Sequence, residues 1–127
     1  MEYHGKIYFN GSFFMGINKG GDFIHSDGWG WKTSQKYKAP EWSELRSLSS
    51  NEDHMAGVTL KGTVLATMFN VDWSEVEQVV VGGTMKDSHF IAGLRNDGRI
   101  IAEGQSDAKG LIELIEEWKS VVCISAI

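Results

Sequence analysis

The chain has 127 residues, 42% hydrophobic and 23% charged, so it has enough apolar surface for one domain with a buried core and is too short to predict two. Its 12 Lys and Arg against 17 Asp and Glu give a net charge of −5, which disfavours direct, sequence-independent binding to nucleic acid. The sequence has neither an apolar run near the roughly 18 residues of a membrane span nor a basic and apolar leader, so we expect a cytoplasmic protein with no membrane contact.

A strand over Lys6 to Phe9 is the first predicted element, and a repeated pattern follows it. The pattern is a glycine, a branched apolar residue, three turn-prone positions, a second glycine and a β run. It occurs at residues 16–24, 57–65 and 93–101. Each copy is typical of a β-hairpin whose second glycine can adopt a positive φ. The sequence therefore predicts an internal repeat, with a loose period of roughly 40 residues that suits one propeller blade.

Six hairpin strands follow from the three copies. The incoming strands are predicted at residues 13–17, 55–58 and 90–94, and the outgoing strands at residues 23–25, 64–69 and 100–102. A second pattern lies between the hairpins, in which Trp42, Trp73 and Trp118 are each followed by apolar residues three and six positions later. We interpret it as a turn anchored by tryptophan that leads into a further strand. The last of these strands is predicted at Val121 to Ile127.

The only cysteine, Cys123, lies in this last apolar run, which predicts a buried and inert thiol. A single cysteine excludes a disulfide or a cysteine-rich metal site within one chain.

A short amphipathic helix is predicted near the C-terminus, at residues 107–119. Its apolar residues recur at helical spacing, at Leu111, Ile112, Leu114, Ile115 and Trp118. Ser106 and Asp107 are candidate caps, the intervening glutamates would face water, and Gly110 weakens the helix. The predicted fold is therefore mainly β, with antiparallel hairpin repeats that form partial propeller-like blades and one short helix. We expect a single domain over residues 1–127, with units at about 1–41, 42–72 and 73–117 and an extra strand at 118–127.

The third unit carries a resemblance to a known family. It runs from Trp73 through Gly82 and His89 to Asp97 and Gly98, and it resembles the blade repeat of the regulator of chromosome condensation family. The second unit matches at Trp42, His54, Val58 and Gly62 but lacks the aspartate before its glycine, and the first unit matches only at its hairpin. The resemblance covers about residues 42–127.

The resemblance implies propeller blades, and closed propellers have more than three of them. An open array would leave the terminal strand with a bare edge, which invites pairing with another chain. We therefore expect a homo-oligomer in which the terminal strand pairs with a neighbour.

Catalytic and metal-binding patterns are weak in this sequence. The four histidines have no short paired spacing, and His54 and His89 fit repeat positions where each ring would bond a neighbouring backbone group. Candidate acids occupy predicted turns, at Asp22, Asp53, Asp87 and Asp97. The chain also lacks a phosphate-binding glycine motif. We therefore expect a protein that is not an enzyme and uses neither a metal nor a cofactor.

The strongest predicted binding segment is irregular and spans residues 28–38, where three aromatic residues and three lysines occur together. The candidate binding residues are Trp29, Trp31, Lys32, Lys36 and Tyr37. Tryptophan and tyrosine in polar loops are typical anchors for a protein partner, so protein–protein interaction is the leading predicted function. Alternatively, one or both tryptophans pack inward against the core, as predicted for Trp42 and Trp73.

Two other functions remain open from the sequence. An oligomer could sequester a small ligand, such as a nucleotide or a glycan, with its ring stacked on a loop tryptophan and a lysine on its phosphate. A small acidic protein could also act as an inhibitor or decoy, cellular or phage-encoded, that occupies the basic groove of a nucleic-acid-processing enzyme.

Overall fold

Three antiparallel sheets of three strands follow one another along the chain in the computed structural model, which describes residues 6–9, 14–25, 42–51, 54–83 and 87–124. The first sheet contains β1 (Lys6–Phe9), β2 (Phe14–Ile17) and β3 (Phe23–His25). The second contains β4 (Leu45–Ser50), β5 (Met55–Thr59) and β6 (Val64–Ala66). The third contains β7 (Val76–Gly82), β8 (Phe90–Arg95) and β9 (Ile100–Gly104). A 3-10 turn (Ser106–Ala108) and the helix α1 (Lys109–Glu116) follow, which confirms the mainly β fold with one short helix.

The three hairpin turns share one geometry, and their glycines explain it. Gly21, Gly62 and Gly98 have φ values of 85°, 83° and 84°, as the sequence predicts. In the third turn, Gly98 N–H donates to Arg95 O at 3.0 Å, and Arg95 N–H donates to Arg99 O at 2.9 Å. This three-residue loop ends in a left-handed residue and matches the twist of the flanking strands.

The six predicted hairpin strands are confirmed in position. The largest difference is in β6, which ends at Ala66 rather than Phe69.

The hydrophobic core lies between consecutive sheets, which pack face to face as partial propeller-like blades. One cluster joins the first and second sheets, through Met15, Ile17, Phe23, Leu45, Leu48 and Met55. A second cluster joins the second and third sheets. In β7, Val79 and Val81 belong to this second cluster, whereas Val80 belongs to a third cluster on the opposite face. Because side chains alternate along a strand, this continuous apolar run buries both faces of the sheet.

The helix α1 is shorter than predicted and buries fewer of its apolar residues. It ends at Glu116, and no side chain caps α1 or the preceding 3-10 turn, so the predicted Ser106 and Asp107 caps are wrong. Ile112 is buried, whereas Leu111, Leu114 and Trp118 are exposed, so the predicted inward stripe is wrong for those three. The outer face of the third sheet is already covered by Ile112, Ile115, Val121 and Ile124, which leaves no room for the rest of the stripe. Within the described residues, no helix is long and apolar enough to cross a membrane.

The C-terminal run also differs from its prediction. Residues 121–124 form no strand, and residues 125–127 lie outside the described part of the chain. Cys123 is exposed rather than buried. A strand needs a paired neighbour, and no described strand pairs with this segment. The same lack of a neighbouring strand leaves Cys123 exposed.

Candidate functional site

Three short turns, each of which begins with a tryptophan, connect the sheets and the terminal segment. We call residues 42–45, 73–76 and 118–121 the Trp turns. Their third residues are Glu44, Glu75 and Ser120, with φ values of 55°, 56° and 59°. The left-handed region costs a residue with a side chain about 1–2 kcal/mol. The same unfavourable conformation at the same place in all three turns shows that they are structurally equivalent.

Each Trp turn docks on the hairpin that precedes it. The residue after the left-handed position donates its N–H to the hairpin glycine at 2.9–3.0 Å, from Leu45 to Gly21 O, from Val76 to Gly62 O and from Val121 to Gly98 O. The contact is close, because a Cβ at Gly98 would lie 3.0 Å from Ser120 Cα. The third Trp turn therefore sits on the third hairpin in the way that the other two sit on theirs.

The first two Trp turns also bond the hairpin of the unit that they begin. Leu60 N–H donates to Glu44 O at 2.8 Å, and Asn96 N–H donates to Glu75 O at 2.9 Å. In the part of the chain that the structure describes, no backbone N–H donates to Ser120 O. Within the described residues, no hairpin therefore follows the third Trp turn in the way that hairpins follow the first two.

The surroundings of the tryptophans show the same difference. Trp42 and Trp73 pack against the first and second core clusters. The Trp73 ring lies over Gly93 in the middle strand of the unit it begins, where a Cβ would lie 3.3 Å from two ring carbons. Trp118 is 48% exposed, since no middle strand of a following unit lies against it.

A glutamine side chain holds the terminal segment in place. Gln78 Nε2 donates to Ile124 O at 2.7 Å, and Ile124 N–H donates to Gln78 Oε1 at 3.0 Å. We call the interface between two consecutive units a joint. The joint between the second and third sheets contains a related hydrogen bond, in which Ser49 Oγ accepts from Val81 N–H at 3.0 Å. In both cases, a side chain on the first strand of one unit bonds the backbone of the segment that follows the next tryptophan. Residues 121–124 therefore occupy the place of the first strand of a fourth unit.

Several large apolar side chains are exposed in this C-terminal part of the chain. Leu111, Leu114 and Trp118 have helical spacing and are about half exposed, and Val122 is 87% exposed. Exposed apolar side chains that lie close together mark interaction sites more often than isolated ones do. We call residues 118–124, together with Leu111 and Leu114, the terminal edge.

A cleft of about 440 Å³ lies beside the terminal edge, between the first strands of the second and third units. β-Bulges between Leu45 and Ser47 and between Val76 and Gln78 place Arg46 and Glu77 at equivalent positions in its lining. Val122, which occupies the same position after the third tryptophan, lines the cleft as well. The cleft therefore brings together equivalent positions of three successive units.

The described histidines are placed as structural groups. His54 is fully buried, and its Nε2 lies 3.2 Å from Gly82 O in the next sheet, as the sequence predicts. Because a carbonyl only accepts, Nε2 carries the proton in this bond. The rings of His54 and His89 are edge to face, with centroids 5.2 Å apart. Among the residues described, no group of three His, Cys, Asp or Glu side chains could hold a metal ion.

Among the acidic residues predicted to lie in turns, Asp97 makes a hydrogen bond that is typical of a turn. Its Oδ1 accepts the Arg99 N–H at 3.0 Å, which is ordinary turn chemistry.

The predicted binding residues Trp29, Trp31, Lys32, Lys36 and Tyr37 all lie outside the described residues, so their role stays a prediction. From the sequence we expect the terminal strand to pair with a neighbouring chain, and this pairing stays a prediction. Sequence reasoning missed the exposure of Leu111, Leu114 and Trp118, which it placed on an inward stripe.

Comparisons of the chain with protein-family models, curated proteins and solved structures found no match. The resemblance to the regulator of chromosome condensation family therefore rests on the sequence pattern alone.

Proposed function

We propose that this protein is a non-enzymatic, cytoplasmic repeat module, similar to part of a chromosome-condensation-type propeller, that binds another protein through its terminal edge. One observation carries the proposal. The third Trp turn has the backbone conformation and the docking bond of the first two, yet no described hairpin completes the unit it begins.

The terminal edge offers the chemistry of strand addition. Ser120 O accepts no backbone hydrogen bond from the described residues, and the backbone of residues 121–124 pairs with no described strand. Main-chain hydrogen bonds would supply affinity to an added strand, and flanking pockets would supply specificity. Trp118 is the natural anchor, since a half-exposed tryptophan beside apolar neighbours is a typical centre of binding energy.

A site-specific photo-crosslinker tests this proposal. We would place it at Val122, which is 87% exposed on the terminal edge, and at the exposed Lys61 in the second hairpin as a matched control. In cells that naturally produce the protein, we expect discrete protein adducts from Val122 and not from Lys61. Adding Trp118→Ala to the Val122 probe should remove those adducts. Equal labelling from both positions, or none from Val122, would refute the proposed function.

The cleft between the units supports a second candidate function, binding of a small anionic ligand. Its volume of about 440 Å³ is within the range of small-molecule sites, and the Arg46 guanidinium suits a carboxylate or phosphate. A nucleotide or an acidic sugar at saturating concentration should raise the melting temperature of the native chain. Arg46→Ala should remove this shift, and Arg99→Ala, at an exposed hairpin position, should retain it. No shift with either ligand class would eliminate this candidate.

A further inference from the structure

We propose that the cleft between the second and third units binds a dipeptide with free termini and apolar side chains. In this arrangement, Arg46 binds the carboxylate of the ligand, Glu77 binds its ammonium group, and the apolar part of the lining contacts its side chains. The inference goes beyond the second candidate function, because it adds a cationic group to the ligand and names the ligand class.

The cleft carries one positive and one negative side chain at equivalent places in two units. Arg46 and Glu77 are the bulged residues that follow the first two Trp turns, and both line the cleft. Their strands, β4 and β7, belong to different sheets and contact each other. Because packed sheets lie roughly 10 Å apart, a small molecule between these strands can reach both charges.

Neither charge is neutralised within the described part of the chain, where the observed ion pair joins Arg95 to Glu75. Arg46 is half-buried, so less water competes for its guanidinium than at a fully exposed site. Glu77 is held through one carboxylate oxygen. Asn96 Nδ2 donates to Glu77 Oε1 at 3.3 Å, in the amide orientation that satisfies both polar atoms of Asn96. The other carboxylate oxygen is therefore available to an ammonium group.

The charge balance of the lining favours a zwitterion over an anion. The lining contains one cationic and one anionic side chain, and the whole chain has a net charge of −5. An anion at Arg46 is attracted by the guanidinium but repelled by Glu77 and by the field of the protein. A zwitterion meets an opposite charge at each end, so it should bind more tightly than a nucleotide or an acidic sugar.

The uncharged part of the lining suits a peptide. Leu48, Val79 and Leu94 line the cleft although each is at most 5% exposed, so they form an apolar floor. Ser47 is also in the lining, and its buried Oγ has no hydrogen-bond partner among the described residues. Buried polar groups normally have a partner, and a peptide group offers both a donor and an acceptor. The volume of about 440 Å³ is near the lower end of small-molecule sites, which suits a dipeptide.

Calorimetric titration with dileucine and three related compounds tests the ligand class. N-acetyl-dileucine lacks the ammonium group, dileucine amide lacks the carboxylate, and free leucine keeps both charges but lacks the peptide group. We expect the native chain to bind dileucine at least about 10-fold more tightly than each of the other three. Native protein that does not bind dileucine, or that binds either end-blocked form equally well, would overturn the inference.

Two variants connect each end of the ligand to its residue. Arg46→Gln should weaken dileucine binding at least about 10-fold and leave the binding of dileucine amide unchanged, since that compound has no carboxylate. Glu77→Gln should weaken dileucine binding by a similar factor and leave the binding of N-acetyl-dileucine unchanged. Arg99→Gln and Glu113→Gln are the matched controls, because both positions are exposed and outside the lining, and they should keep the native affinity. Losses in the control variants as large as those at Arg46 and Glu77 would also overturn the inference.

Failure of this inference and failure of the proposed functions give different results. If a nucleotide or an acidic sugar raises the melting temperature through Arg46 while dileucine does not bind, the dipeptide is wrong and the anion site remains. If dileucine binds and neither anion does, the dipeptide is supported and the anionic candidate is wrong. Protein binding by the terminal edge is tested independently by the Val122 probe.

Discussion

The terminal segment provides the sharpest test of the repeat geometry, because one side chain, Gln78, bonds both backbone groups of Ile124. Replacing Gln78 with leucine keeps most of the side-chain volume and removes both amide bonds to Ile124, of 2.7 and 3.0 Å. A neutral hydrogen bond contributes about 1 kcal/mol net, so about 2 kcal/mol of local stability should be lost. This loss corresponds to about 30-fold faster exchange of the Ile124 amide hydrogen. We expect little change in global unfolding, since the nine strands do not include this segment.

Hydrogen exchange by NMR, together with urea unfolding, measures both quantities on the same variant. Ser49→Ala is the matched control, because it removes the related bond to Val81 N–H between two complete sheets. Loss of that partner should lower the global free energy of unfolding by about 1–3 kcal/mol. Unchanged exchange at Ile124 in Gln78→Leu, with a global loss as large as that of Ser49→Ala, would refute the assignment of this segment to a separate incomplete unit.

Substitutions at His54, Gly98 and Glu75, with Gly110→Ala as a control, test the joints between units by urea unfolding. His54→Phe keeps an aromatic ring but removes the hydrogen bond from the ring to Gly82 O. It should therefore lower the free energy of unfolding by about 1–3 kcal/mol. An unchanged free energy of unfolding would show that the ring acts by packing alone. Gly98→Ala should cost about 1–3 kcal/mol, because φ is +84° and the new Cβ would lie 3.0 Å from Ser120 Cα. Gly110→Ala is the control for Gly98→Ala, because Gly110 lies in the helix and a Cβ added there would have no atom within 4 Å. It should stabilise the protein by about 0.5–1 kcal/mol. Equal losses of stability at both glycines would contradict the docking of the third Trp turn on Gly98. Glu75→Gly should be more stable than Glu75→Val by about 1–2 kcal/mol at φ 56°, and the reverse order would exclude a left-handed conformation in solution.

The hairpins could be predicted from the sequence because their determinants are local. A turn that ends in a left-handed residue needs glycine there, and the apolar residues on either side set the strands. Gly21, Gly62 and Gly98 meet this requirement, so the predicted strands agree with the structure. The structural role of His54 followed for a similar reason, since its repeat position put the ring beside the next sheet.

The exposure of the C-terminal residues could not be predicted, because it depends on whether another unit packs against them. Trp73 and Trp118 have the same local pattern, yet Trp73 packs on Gly93 and Trp118 is half exposed. Similarly, Val79 lies in a paired strand and is buried, whereas Cys123 lies in an equally apolar run and is exposed. The sequence pattern describes one unit, but burial in a repeat protein is decided at the joint between two units.

The numbers of units and joints lead to one structural consequence. The described chain has three sheets and three Trp turns, and each Trp turn belongs to a joint, since it bonds the hairpin before it. Among the described residues, the first two Trp turns also bond the hairpin that follows them, through Glu44 O and Glu75 O, and the third does not. The third Trp turn keeps the left-handed Ser120, at a cost of about 1–2 kcal/mol, and leaves Trp118 exposed, so in an isolated chain it is partly unfavourable. That cost is offset when a binding partner packs against Trp118, as the proposed function requires.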